Sequence, residues 1–404
     1  MRNYPRTLKR KILETISQQR EELPRYTQDS KRDFTRKRKL PFETLCRTIL
    51  SMSGQSLNVE LQRQFHYEPA AATASAFVQQ RRKLHPSVFE DILRRFTFRN
   101  RPKQRWNGYA LLAVDGSHVQ IPSDIHDKAT YFNNTKDGRG YNLLHLNALY
   151  DLESQLFLDA VIQNGREEHE SRALVELVDR SELTEPVILI ADRGYGAYNN
   201  IAHIEQKGWN YLIRVKEKQG ILSGLNLPDT PEFDACFSYS LSKRLTNRIR
   251  KELQKYRWLP NKVQFDYIRD ASDDLYLLSF RVVRFLVKED LYETVITNLP
   301  EARFPPSLLR MLYHKRWGDR NCFPRFEIHP CADALSRKKA LIHYAGDFCK
   351  NDALQFRVPA SAAHQICAAK GEIFLPCERC FCRAYCTGVP ARICTCGQCG
   401  GTDC

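Results

Sequence analysis

Two aspartates stand where this sequence can best support chemistry. Residues 109–114 form an unbroken apolar run that stops at Asp115-Gly116-Ser117, and residues 187–191 form another that stops at Asp192-Arg193-Gly194. Apolar runs of five or six residues fit strands buried on both faces, and a group at the end of such a strand lies at the rim of a sheet. One such Asp commonly caps a helix; two in matched settings point to convergence. Carboxylates held close raise each other's pKa, a penalty that a divalent cation removes. Hard oxygen ligands select Mg²⁺ or Mn²⁺ over Zn²⁺. Phosphodiester cleavage and transfer is the chemistry such a centre serves, with two ions roughly 3.5–4 Å apart on the attacking and leaving oxygens. A third carboxylate normally completes the coordination.

The elements that must position these residues read as α/β. Residues 143–149 and 156–162 are two further strands, joined by a turn at 151–155. Residues 167–183 place Ala173, Leu174, Leu177 and Val178 on one face, as in an amphipathic helix. A second helix and a strand at 211–215 follow the run at 187–191. Three adjoining strands, a helix, a buried strand, a helix and a last strand make a mixed sheet with helices on its faces. We therefore divide the chain into a basic helical region (1–105), a first part of a core (106–216), a β-rich insertion (217–300), the start of a last helical region (301–318) and a Cys-rich tail (319–404).

The charge is unevenly placed. Residues 1–105 hold 24 Lys and Arg against 10 Asp and Glu, a balance of +14 out of the chain's +15. One face is thus expected to meet a polyanion, the ordinary alternative being a solvated charged surface. Two helices at 74–84 and 88–96 flank His85-Pro86. The first offers Gln79, Gln80, Arg81, Arg82 and Lys83 to solvent, and the second carries Arg94 and Arg95. The pair suits insertion into a DNA major groove, as it suits a charged helical bundle. The run 31–39, with Arg36, Lys37, Arg38 and Lys39, suits phosphate contact better than base reading. No stretch approaches the roughly 20 apolar residues of a membrane span, and residues 1–10 lack the apolar core of a secretory signal. A cytoplasmic protein with no membrane partner and no small-molecule substrate is expected.

The residues around the two aspartates resemble a known family. Ala113-Val114-Asp115-Gly116-Ser117 is similar to the first catalytic motif of bacterial DDE transposases of the insertion sequence four family, and residues 190–195 to the second. Residues 145–151 and 167–173 resemble the block between them, and residues 212–216 the strand after the second. Residues 297–300, then Leu312-Tyr313-His314-Lys315-Arg316-Trp317, resemble the start of the third. The resemblance covers roughly residues 30–318. It implies a ribonuclease H-like mixed-sheet core with a β-rich insertion and an N-terminal helical DNA-binding region. It implies Mg²⁺- or Mn²⁺-dependent cleavage at element terminal repeats, strand transfer into target DNA, and a homodimer on DNA in a nucleoid-associated setting. Asp115 and Asp192 would hold the metal. Tyr313 and Arg316 match the family's Tyr-x-x-Arg pair at DNA phosphate, with Trp317 beside them and Arg193 as a further phosphate contact; packing at i, i+4 is the alternative for Tyr313 and Trp317.

The resemblance stops after residue 318. Its third metal-binding Glu falls on Arg320, and its later Lys falls on Glu327. Read one nucleotide later, codons permitted for residues 319–323 can spell Ile-Glu-Thr-Ala-Phe. Those for the residues up to 329 can restore Lys-Tyr, so acid and Lys return to register. A frameshift near codon 318 or 319 is the expectation, with residues 319–404 out of frame. Twelve of the 14 cysteines lie between Cys322 and Cys404, where the composition changes abruptly. Two alternatives attach to the tail: a zinc module on Cys377, Cys380, Cys396 and Cys399, and Glu327 as a relocated metal ligand. The chain is then either a working transposase or a catalytically defective, truncated one that only binds element-end DNA.

Overall fold

Helix caps and apolar spacing build the first hundred residues. The structure, a computed structural model, describes residues 4–318 apart from 37, 53–54, 70, 102–104, 122, 134–139, 155, 218 and 271. Arg320, Glu327, the tail cysteines and the frameshift segment lie outside the described residues. Helices α1 (Tyr4–Gln19), α2 (Phe42–Ser51), α3 (Leu57–Gln64), α4 (Ala74–Arg81) and α5 (Ser87–Asn100) come first. Ser56 and Thr73 cap α3 and α4 by accepting from the N–H groups of Val59 and Ala76. Leu45, Phe77, Val88, Phe89 and Ile92 bury together as one apolar cluster.

The helices on the two faces of the sheet follow from alternation along its strands. In chain order the elements are β1 (Ala110–Ile121), β2 (Tyr131–Phe132), β3 (Tyr141–Asp151), β4 (Leu156–Asn164), α6 (Glu170–Asp179), β5 (Val187–Ala191), α7 (Tyr198–Gln206) and β6 (Asn210–Arg214). Then come β7 (Phe233–Ser242), α8 (Asn247–Lys251), β8 (Tyr256–Trp258), β9 (Leu275–Lys288), β10 (Leu291–Thr297) and α9 (Pro306–Gly318). Among the described residues the strands join in one ten-stranded sheet, ordered β3-β1-β5-β6-β10-β9-β7-β8, with β2 and β4 both pairing with β3. β1, β5 and β6 run parallel, while β3 is antiparallel to β1 and β4 to β3. Leu112, Val114, Leu189 and Ala191 bury with Leu174 and Leu177 of α6 and Ile201 and Ile204 of α7. On the opposite face Leu111, Ala113, Ile188 and Ile190 bury with Leu309, Leu312 and Tyr313 of α9. Burial of both faces explains why β5 reads as a solid apolar run. The helical layer meets the sheet where α5 packs on β4. Close by, the buried pair Arg101 Nε–Asp151 Oδ2, 2.6 Å apart, ties the end of that layer to β3.

Three local readings of the sequence change. β1 does not stop at Asp115, because β3 backs it from Leu112↔Asp151 to Ile121↔Asn142; what stops near Asp115 is pairing with β5, whose register reaches only Ala113↔Ile190. Strand β10, read as part of the insertion, pairs antiparallel with β6, so the β-rich segment extends the central sheet. Gln80, read as solvent-facing, is buried.

Candidate active site

The parting of β1 and β5 creates the site. Asp115 lies two residues beyond the last β5-paired residue of β1, and Asp192 follows the last residue of β5. Local backbone bonds orient both: Gly116 N–H donates to Asp115 Oδ1 at 3.1 Å, and Arg193 N–H to Asp192 Oδ1 at 2.7 Å. From the opposite face, α9 delivers Arg316, whose side chain is only 3% exposed. Its Nη2 lies 3.2 Å from Asp115 Oδ1 and its Nη1 3.8 Å from Asp192 Oδ2. One planar guanidinium thus spans both aspartates. Burial raises the pKa of Asp115, against the opposing pull of Arg316 and with a smaller push from Asp192.

A third carboxylate reaches the same place, and the sequence reading missed it. Glu170 opens α6, which His169 caps by accepting from Arg172 N–H at 3.2 Å. A Cβ on Gly116 would lie 3.1 Å from Glu170 Oε1, and one on Gly194 would collide with Glu170 Oε2. Neither glycine has positive φ. Their value is the absent side chain: Gly194 leaves room for the Glu170 carboxylate, and Gly116 for the His145 ring with Glu170 Oε1 next to it. Burial raises the pKa of Glu170, and Asp115, Glu168 and Asp192 raise it further. The signal available beforehand was the glycine following each Asp, together with a Glu at the head of an amphipathic helix.

A histidine cluster adjoins this centre. His118 Nε2 lies 2.6 Å from Glu168 Oε2, the His118 and His145 rings are 4.9 Å apart, and the three residues are close enough to hold a metal ion. Buried His145 is held differently from a ready ligand. Tyr195 O–H donates to Asn147 Oδ1 at 2.9 Å, which turns the Asn147 amide nitrogen toward His145 Nδ1 at 3.3 Å. With Nδ1 accepting, the ring proton sits on Nε2, and burial lowers the His145 pKa. In that assigned tautomer His145 is a donor at the Gly116 shelf.

The other sequence-selected residues fall in several settings. Arg193 is exposed and lines a cleft of about 300 Å³ with Arg214, Lys216 and Tyr292. Tyr313 is fully buried, so the phosphate contact implied by resemblance is closed to it in this conformation. Arg316 likewise faces carboxylates here. Trp317 lies on the last turn of α9, its side chain outside the described set. In the N-terminal region Arg36, Arg38, Lys39 and Arg82 are exposed, Arg81 and Lys83 are half-buried, and Lys37 is outside the described residues. The structure joins the two basic stretches: Thr27 bridges Leu84, and Lys83 Nζ lies 3.6 Å from Asp33 Oδ1. Arg94 and Arg95, carried by the second of the two helices, pair with acids, Arg95 Nη2 with Glu22 Oε1 at 2.6 Å and Arg94 Nη2 with Asp91 Oδ1 at 3.4 Å. Among the described residues no helix is long and apolar enough to cross a membrane.

Comparison with known proteins places this geometry. No curated protein matches the chain. Among solved structures, a piggyBac transposase synaptic complex with hairpin DNA matches at a TM-score of 0.35 and 9% identity, covering 90% of this chain and 80% of that one. A likeness that low carries no argument. Residues 106–318, more than half of the chain and the whole of the sheet, match the family described as Transposase DDE domain. The chain belongs to the DDE-domain transposases.

Proposed function

We propose that this is a bacterial DDE transposase of the insertion sequence four family, which cleaves DNA at element ends and joins them to target DNA. The observation that carries the reading is the pair Asp115 and Asp192, held under one guanidinium at the rim where β1 and β5 part. A ribonuclease H-like core is supported by the order β4-β3-β1-β5-β6, with β1, β5 and β6 parallel and helices on both faces. The donor set fits Mg²⁺ or Mn²⁺: it is all carboxylate oxygen, and Arg316 already stands in as a cation between two of its members. Asp115 and Asp192 would hold the metal, which when bound activates the attacking oxygen and stabilises the leaving one.

The chain's own residues supply position and charge. Gly116 N–H and Arg193 N–H fix the carboxylates, so little reorganisation is left for the reaction. Arg316, once displaced from the pair, offers a planar fork to a phosphate at the same rim. Exposed Arg193 extends that reach along the cleft. Arg36, Arg38, Lys39 and Arg82 provide a basic surface for the DNA backbone, and cutting two ends calls for a homodimer on DNA. A cytoplasmic, nucleoid-associated setting accords with this partner.

A second reading rests on one observation. Arg320 stands where the resemblance asks for the third acid. In this reading the gene is frameshifted near codon 318, and the product binds element ends without cutting them. Terminal-repeat DNA with Mg²⁺ separates the two. Nicking and strand transfer that vanish in Asp115→Ala support the enzyme, binding without nicking supports the defective form, and absence of binding contradicts both. The nucleotide sequence around codon 318 tests the frameshift: a shifted frame unable to encode that Glu rules it out.

A further inference from the structure

We infer that Glu170 supplies the third carboxylate of the Asp115 and Asp192 centre, making a divalent-cation site contained within residues 115–192. The inference rests on the metal-dependent reading above and names a ligand that the family resemblance does not. Three observations converge on it. First, Glu170 fills the space that Gly194 leaves open two residues after Asp192, and its other oxygen comes next to Gly116, the residue after Asp115. Second, the charges do not balance. Asp115 and Asp192 both act on Glu170, while among the described residues Arg316 is the guanidinium that bridges both aspartates, Arg214 acting on Asp192 and His118 on Glu170. Glu168, the neighbouring acid, is engaged by His118 at 2.6 Å. Third, among the described residues the Glu170 side chain makes no ion pair and accepts no hydrogen bond, although it is half-buried. A half-buried carboxylate that accepts no hydrogen bond among the described residues, close to two more, is stabilised by a hard cation.

The third ligand would then come from the head of α6, not from the segment after α9. Gly194 acquires a reason, since a methyl there would push Glu170 out, whereas one on Gly116 would meet the His145 ring first. Metal binding would also be independent of residues 319–404, so the missing acid at position 320 would not by itself empty the site.

The test uses the full chain and Mn²⁺ alone, read by calorimetric titration and by the electron paramagnetic resonance of bound Mn²⁺. Glu170→Gln should weaken Mn²⁺ at least about tenfold, and Asp115→Asn and Asp192→Asn by as much or more. Gly194→Ala keeps every charge and should weaken Mn²⁺ similarly by displacing Glu170, which guards against Glu170→Gln merely misfolding. Glu167→Gln, an exposed neighbour, should leave affinity unchanged. Glu170→Gln and Gly194→Ala that bind as the wild type does, while Asp115→Asn loses Mn²⁺, would overturn the assignment and leave the aspartate centre standing. Full Mn²⁺ affinity in Asp115→Asn and Asp192→Asn as well would remove the metal reading together with it.

Discussion

The carboxylate centre and the N-terminal helices both carry an excess of one charge, yet they treat it in opposite ways. At the rim of β1 and β5, three acids gather around one bridging guanidinium, so negative charge is left over and held rigidly. In α5, by contrast, Arg94 and Arg95 are matched within their own layer by Glu90, Asp91 and Glu22. Exposed basic side chains remain in the 31–39 run, among them Arg36, Arg38 and Lys39. Composition counts charges, whereas packing decides which stay available. The centre is built to attract a cation in one place, and the helices spread a weaker attraction for a polyanion over a surface.

The largest expected effect breaks the first half of that comparison. Asp192→Asn should lower Mg²⁺-dependent nicking on the order of a thousandfold or more, measured on terminal-repeat DNA; unchanged nicking would place the chemistry elsewhere. Next comes Arg316→Ala. It removes a buried partner from two carboxylates, and breaking such a pair costs about 3 kcal/mol. The metal-free melting temperature should fall, and Mn²⁺ should restore much of it by taking the place of the guanidinium. An equal drop with and without Mn²⁺ would mean that the guanidinium and the cation do not share a site.

The second half of the comparison predicts smaller changes. Replacing Arg36, Arg38 and Lys39 with Ala should weaken DNA binding uniformly across sequences and lower the salt slope by about 0.9 for each phosphate no longer neutralised. Arg95→Ala should instead lower stability and leave the slope alone, because its charge is already engaged by Glu22. Equal slopes for both variants would erase the distinction between free and matched charge.

The smallest effect is a pH dependence. Asp115 and Glu170 are raised above their ordinary values in the folded chain, so the fold holds their protons more tightly than the unfolded chain does. Their contribution to metal-free stability is therefore present at low pH and is lost as pH rises from the ordinary carboxylate range through the raised values. Mn²⁺ affinity runs the other way, falling as pH drops and the same groups take up protons. Melting curves with and without Mn²⁺ between about pH 5 and about pH 8 should move in opposite senses; parallel movement would contradict the assignment of these groups to one site.

What could be read beforehand follows from how local each signal is. The runs before Asp115 and Asp192 announce buried strands because two-sided burial leaves no polar positions, and α6 shows its apolar face at Ala173, Leu174, Leu177 and Val178. The end of an apolar run, however, marks where two-sided burial ends and not where pairing ends. Hence β1 continues to Ile121 on β3 alone. β10 reads as part of the insertion because its partner β6 is some 80 residues away in sequence, beyond any local pattern. Glu170 sits in the polar stretch Arg166-Glu167-Glu168-His169-Glu170, where nothing local separates it from its exposed neighbours. Only the approach of α6 to the two glycines does so. Arg316 is legible as part of a spaced motif, but its contacts depend on α9 crossing the opposite face of the sheet.

The most direct test of the central claim is a crystal structure of the full chain soaked in Mn²⁺, with anomalous scattering locating the ion. The account predicts a peak between Asp115 and Asp192, with the Arg316 guanidinium moved off the pair. Saturating Mn²⁺ with no peak there, and Arg316 still bridging both aspartates, would contradict it.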